Sequence, residues 1–239
     1  MKPWYRPALL AGLVLLAGTG TGSASTSGRV AVVEPTQNLA TVFRSHRVFS
    51  QPDSRSTSRG LVRAWRPITE GRTVLPVLAR RTDGDGIQWV HVRLPGRPNG
   101  RTGWILRRST GASATPWHIV VTTSERTVRV YREGRVVRVF KAIVGKPSTP
   151  TPQGEFFVEE AIELPAGAVG APFALALSAR SDVLQSFAGG PGQIGLHGLM
   201  NVGGVLGSAA SHGCVRLDND AMRWLVARVG AGAPVTIRR

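Results

Sequence analysis

Two short stretches hold the residues best suited to covalent chemistry: Gly-Leu-His-Gly at 195–198 and Ser-His-Gly-Cys-Val-Arg-Leu at 211–217. Cys214 is the only cysteine of the chain. A thiol attacks as its thiolate, and an imidazole is the usual neighbour that takes its proton. Two histidines compete for that role. A single residue separates His212 from Cys214, too little chain to fold that ring back onto the sulfur. His197, at the end of a separate strand-like run, can approach through the fold and is the better base. Glycine at 213 lets the backbone bend tightly ahead of the nucleophile and aims amide N–H groups toward a developing oxyanion. Two plainer readings stand beside this one. A lone cysteine can be a small buried hydrophobe, and a metal site of His197, His212 and Cys214 lacks a fourth ligand at the usual spacing.

The order His-Gly, a glycine-rich insert, then Ser-His-Gly-Cys-Val-Arg resembles the catalytic motif of the L,D-transpeptidase family. Gly145 with the Thr-Pro-Thr-Pro-Gln-Gly run at 149–154 adds to the likeness, which spans residues 117–239. In such enzymes, the resemblance implies, a cysteine attacks the L,D-peptide bond of a peptidoglycan tetrapeptide stem. D-alanine leaves, and an amine of a second stem resolves the thioester as a cross-link. Carried over, Cys214 is the nucleophile and His197 the general base and then acid. The carbonyl of Gly198 orients the imidazole, and the amides of His212, Gly213 and Cys214 form the oxyanion hole. Ser211 and Arg216 contact substrate, Arg216 through a carboxylate or else as an ion pair to Asp218 or Asp220. No cofactor or metal is implied, and a carbapenem ring should acylate the thiol. A papain-like peptidase is disfavoured because there the cysteine opens a helix and precedes its histidine. A non-catalytic wall-binding protein with an inert thiol is the other alternative.

These residues need elements to place them, and the expected fold is mainly β with one or two short helices. Residues 88–94 alternate Trp89, His91 and Arg93 with Val90, Val92 and Leu94, the period of a half-buried strand. The Asp-Gly-Asp-Gly run at 83–86 reads as a hairpin turn. Runs at 74–78 and 103–106 complete the pattern, with Pro76 confining the first to an edge. Residues 42–110 resemble a small bacterial SH3-like barrel, with Trp65, Trp89 and Trp104 in its core. Residues 111–116 read as a linker. Beyond it, valine-rich strands are expected at 117–122, 127–131, 135–144, 155–158 and 234–237, forming a β-sandwich-like catalytic domain over 117–239. A short helix is expected at 181–187. Asp218 can cap another whose apolar positions are Met222, Leu225, Val226 and Val229, with Gly230 closing it. His46, His91 and His118 read as ordinary strand or surface residues.

Composition bounds the setting. The 239 residues carry a formal charge of +16, and hydrophobic residues make up 42%, enough for a packed core. Residues 42–110 hold 14 arginines against Asp53, Glu70, Asp83 and Asp85, a net of +10. Charge of that density favours a polyanion, whether nucleic acid, anionic lipid or acidic wall polymer, and does not by itself choose among them. Lys2 and Arg6 precede an apolar run at 8–17 and then small residues to Ala24, the pattern of a secretory signal over 1–24. The run is about half of the roughly 20 residues a permanent span needs. Residues 25–41 read as a leader or tether. The expectation is therefore an exported protein at the cell wall, with peptidoglycan stem peptides as partners and no nucleic acid.

Overall fold

Alternating buried valines and solvent-facing arginines build most of this chain into strands, as the computed structural model shows for residues 33–187 and 189–239. The expected signal segment, and the leader up to residue 32, lie outside the described residues. The first seven strands are β1 (Gln37–Val42), β2 (His46–Phe49), β3 (Ser58–Val62), β4 (Val74–Thr82), β5 (Gln88–Arg93), β6 (Thr102–Leu106) and β7 (Thr110–Thr115). They form one sheet in the order β3-β2-β6-β5-β4-β1-β7, and its paired strands run antiparallel. Asp83 turns the β4–β5 hairpin by accepting from the amides of Asp85 and Ile87 at 3.0 and 2.9 Å, while its second oxygen accepts from Trp89 Nε1.

Several local expectations change here. Part of the segment read as a tether is β1, and the segment read as a linker lies largely within β7, paired along its length with β1. Pro76 was expected at an edge, yet β4 lies inside the sheet. Pairing with β1 covers Val74, Leu75 and Pro76, and pairing with β5 begins at Val77. The proline thus sits where the ladder passes from one neighbour to the other, so its missing N–H breaks no bond. Trp89 is fully buried, but Trp65 is 53% exposed, lying against the Arg72 guanidinium at 3.5 Å from its ring centre.

The second sheet uses β8 (Trp117–Thr122), β9 (Thr127–Arg132), β10 (Arg135–Lys141), β11 (Val144–Gly145), β12 (Gly154–Glu163), β13 (Phe173–Arg180), β14 (Gln193–His197), β15 (Ala209–Ser211), β16 (Val215–Arg216) and β17 (Pro234–Arg238). Eight of these follow the order β10-β9-β8-β17-β12-β13-β14-β16, while β11 and β15 pair separately. Glu133 and Gly134, both at positive φ, close the tight β9–β10 hairpin. The only helix among the described residues, α1 (Asn219–Val226), is capped by Asp218, whose side chain accepts from the Asp220 amide. It buries Ala221, Met222 and Leu225 and packs on β13 and β14. Gly230 is not its cap. The helix ends at Ala227, because the amides of Arg228 and Val229 both turn back onto the Leu225 carbonyl. No helix forms at 181–187 either. Ser181 Oγ accepts from the amides of Val183 and Leu184, a local turn that competes with a helix.

One consequence of strand alternation ties the two sheets together. Successive side chains of β12 point to opposite faces. Phe156 enters the second sheet's core beside Ile119, Leu175 and Val235. Phe157, one residue on, is buried in the first sheet's core with Val42, Leu75, Val92 and Ile105.

Candidate active site

The site grows out of a parallel strand pair. β14 and β16 run side by side with Leu196 opposite Val215 and His197 opposite Arg216. The period of two then puts Cys214 on the same face as Arg216 and His197. These three line a cavity of about 230 Å³ together with His212, Phe187 and Ile194. A larger groove of about 1060 Å³, lined by Leu61, Trp65 and Arg101, lies on the first sheet and contains none of these groups.

His197 is held in one orientation. Its Nδ1 lies 2.9 Å from the Gly198 carbonyl, which places the ring proton on Nδ1 and leaves Nε2 as the open nitrogen. Gly198 is itself fixed. Its amide donates to the Gly170 carbonyl at 2.8 Å, and the next amide, Leu199, donates to Asn219 Oδ1 at 2.8 Å. Gly170 matters in a second way: at φ +84°, a Cβ there would lie 2.5 Å from His197 Nδ1. The imidazole can occupy its seat only against a glycine. Sequence reasoning missed both Gly170 and Asn219, since neither carries a motif and each acts through the backbone it touches.

The loop that presents Cys214 is braced from behind. Ser211 is fully buried, and its hydroxyl donates to the Cys214 carbonyl at 2.5 Å and accepts from the Gly213 amide at 3.1 Å. Ser211 is therefore committed to the loop itself and does not face the cavity. The same bond occupies one of the three amides expected of an oxyanion hole. Among the described residues, the amides of His212 and Cys214 have no protein acceptor. The Ser211 carbonyl accepts from the Lys146 amide and Thr149 Oγ1, and Gly145 donates to Thr151 Oγ1 at 2.9 Å. The proline-stiffened run at 145–154 thus backs the nucleophile loop.

Arg216 forms no ion pair with Asp218 or Asp220. Asp218 caps α1, Asp220 pairs with Arg223, and Arg216 Nη1 reaches the Gly203 carbonyl at 3.3 Å. Its Nε is buried with no partner. The His212 side chain is exposed and stacked on Phe187 with ring centres 5.6 Å apart. Among the described residues, no three His, Cys, Asp or Glu side chains gather as metal ligands.

Electrostatics favour a neutral pair at rest. Desolvation pushes the Cys214 thiol above its ordinary range, against weaker opposing pulls from the Gly195 N–H and Arg216. Desolvation also pushes His197 below its ordinary range, with the Gly198 hydrogen bond acting against that and Arg216 adding to it. Burial penalises both charged forms and so favours the neutral thiol beside the neutral imidazole.

Residues 116–237 match the family model of the L,D-transpeptidase catalytic domain, YkuD. The chain belongs to that family. It is 34% identical over 122 residues to the YkuD protein of Bacillus licheniformis, covering 51% of this chain and 66% of that protein. It is 30% identical over 130 residues to L,D-transpeptidase 1 of Mycobacterium tuberculosis, covering 49% of each. The chain thus spans about two thirds of the first relative's length and about half of the second's. Among solved structures, L,D-transpeptidase 3 of Mycobacterium tuberculosis aligns with a TM-score of 0.45 at 18% identity, covering 70% of this chain and 92% of that one.

Proposed function

We propose that this family member is an exported L,D-transpeptidase that cross-links peptidoglycan. The observation that carries the reading is the pinned imidazole: His197, tied to the Gly198 carbonyl through Nδ1, keeps Nε2 open on the face that bears Cys214. When the carbonyl of a tetrapeptide stem enters, Nε2 takes the thiol proton as sulfur bonds to carbon. The tetrahedral oxyanion is met by the amides of His212 and Cys214. Nε2 then returns the proton to the departing amine as the C–N bond breaks, releasing D-alanine and leaving a thioester. An acceptor amine reverses the sequence: it bonds to the acyl carbon, gives a proton to Nε2, and frees the thiol. Arg216, with an unpartnered buried Nε and no ion pair among the described residues, is suited to hold a stem carboxylate.

Export is supported by the charged start, short apolar run and small residues over 1–24. Docking on acidic wall polymer is supported by Arg44, Arg47, Arg63, Arg80 and Arg81, which are exposed and carry no acidic partner among the described residues. The test of the reaction is intact mass after incubation with a tetrapeptide-stem substrate. A covalent acyl adduct that disappears on adding an acceptor amine, with a cross-linked product, is expected. No adduct and no product at saturating stem would overturn the reading.

A further inference from the structure

One wall of the Cys214 cavity is tied to the catalytic sheet only at its base, where Arg180 pairs with Gln193 and the Ser181 amide donates to the Gly192 carbonyl at 2.8 Å. Ser181, Leu184, Phe187 and Gly192, from the segment between β13 and β14, line the cavity. Asp182, Val183, Gln185, Ser186 and Phe187 in this segment are exposed, so it has little apolar burial to fix it. Beyond that base and the mutual Phe187–Gly190 amide–carbonyl bonds, one guanidinium reaching across from the first sheet holds it. Arg97, in the turn between β5 and β6, donates from Nη1 to the Pro191 carbonyl at 2.8 Å and from Nη2 to the Ser181 and Leu184 carbonyls at 2.8 and 2.9 Å. Its three acceptors lie at both ends of the segment, so a single planar group clamps the loop closed. Asn99 of the same turn secures the segment's root. Its Nδ2 donates to the Arg180 carbonyl and to Asp182 Oδ1, and its Oδ1 accepts from the Arg180 amide. At the far side the segment meets the nucleophile loop through the Phe187–His212 stack. Gly192, at φ +64°, lets the chain pass Arg97 closely: a Cβ there would lie 3.1 Å from Nη2 and run into the Leu184 carbonyl.

The geometry points to Arg97 as a positioning residue for the donor stem, so that the first sheet builds part of the substrate pocket. Arg97 touches neither thiol nor imidazole. It sets where Leu184 and Phe187 stand, and those two side chains offer the apolar wall against which a stem peptide lies. Because the acceptors are backbone carbonyls, a side-chain substitution within the segment does not remove them. This assignment rests on the reading of Cys214 as an acyl-transfer nucleophile, but its structural half does not.

The experiment compares wild type, Arg97→Ala, Arg97→Lys and Asn99→Ala in the full chain, by amide hydrogen exchange over residues 181–192 and by steady-state kinetics on a tetrapeptide stem. In Arg97→Ala, exchange in the segment should rise while β13 and β14 stay protected. KM should increase about tenfold, which corresponds to about 1.4 kcal/mol of lost binding, with kcat and the rate of iodoacetamide labelling at Cys214 nearly unchanged. Arg97→Lys keeps the charge but cannot span three carbonyls, and should fall between the two. Asn99→Ala should loosen the root with a smaller rise in KM. Unchanged exchange and unchanged KM in Arg97→Ala would overturn the assignment. So would a fall in kcat and thermal stability together with KM unmoved, the signature of a merely structural contact. If wild type fails to process the stem while the exchange change appears, the proposed reaction falls and the clamp stands.

Discussion

The seven-stranded first sheet and the short β14–β16 edge of the second use the same residue types to opposite ends. In the first sheet several arginines complete the backbone. Arg59 donates to the Thr102 carbonyl, Arg72 to Phe43, Arg101 to Arg59 and Arg97, and Arg107 to Thr110. Arg66 is buried in an ion pair with Glu159, which also holds Arg180. At the β14–β16 edge the polar groups are left with unused capacity: Arg216 Nε unpartnered, His197 Nε2 open, two amides without acceptors. Buried polar groups are normally satisfied; unfilled capacity also occurs away from this edge, at His46 Nε2 and Arg66 Nε, and what sets the β14–β16 edge apart is that Cys214, His197 and Arg216 line one cavity.

The most severe way to probe that contrast is to remove the thiol. Cys214→Ala should reduce adduct formation and turnover to background while thermal unfolding stays cooperative, because a small residue replaces a small one. Activity that survives would place the chemistry elsewhere in the molecule. Next is the imidazole's seat. Gly170→Ala should cost about a hundredfold in turnover, within the roughly 10²–10⁴ that a positioned acid–base contributes, since the new methyl collides with His197 Nδ1. Steady-state kinetics on the folded variant would measure it, and near-normal turnover would mean the ring tolerates another position.

A third variant asks whether the two sheets are separable at all. Phe157→Ala should destabilise the fold by about 3–5 kcal/mol, the usual range for a buried Phe. It should lower one shared unfolding transition, although Phe157 belongs to the second sheet and packs in the first. Two resolved transitions by calorimetry would split what the shared core joins. Smaller in amplitude is the pH dependence. A protonated His197 cannot accept the thiol proton, and its titration is displaced downward. The acid limb of kcat/KM should therefore fall below the ordinary histidine value of about 6.5, leaving acylation level across neutral pH. Iodoacetamide should label Cys214 slowly at neutrality and faster only above the usual thiol range, because burial raises the thiol. Rapid, pH-independent labelling in mild acid would instead reveal a preformed ion pair. The least effect on chemistry is expected from Arg80→Ala with Arg81→Ala. Turnover of a soluble stem should be unchanged, while binding to isolated walls weakens and becomes less salt-dependent, since surface charge acts over a Debye length of about 10 Å at 0.1 M salt.

Much of this molecule is legible in its sequence because the signals are local. Strand alternation from Gln88, the Glu133–Gly134 hairpin, the Asp218 cap and the motif around Cys214 each depend on neighbours a few residues away. What escaped depends on partners far along the chain. Pro76 reads as an edge residue until its two neighbouring strands are known to exchange there. The segment 181–187 has helix-compatible spacing, but its carbonyls answer to Arg97, more than 80 residues away in sequence. Gly170 is one glycine among 29, and only the imidazole lying against it gives it meaning. Glu159 and Glu160, nearly wholly buried, look like solvent-facing positions until Arg66 and Thr69 reach them from the other sheet.

The desolvated thiol has a consequence for survival as well as for rate. In the exported enzyme proposed above, the lone cysteine has no second thiol in its own chain with which to form a disulfide. Peroxide oxidises the thiolate, first to sulfenic acid and then irreversibly further. A sulfur held protonated between turnovers presents little thiolate to such oxidants. The burial that raises the thiol thus also limits the thiolate on offer to oxidants between turnovers.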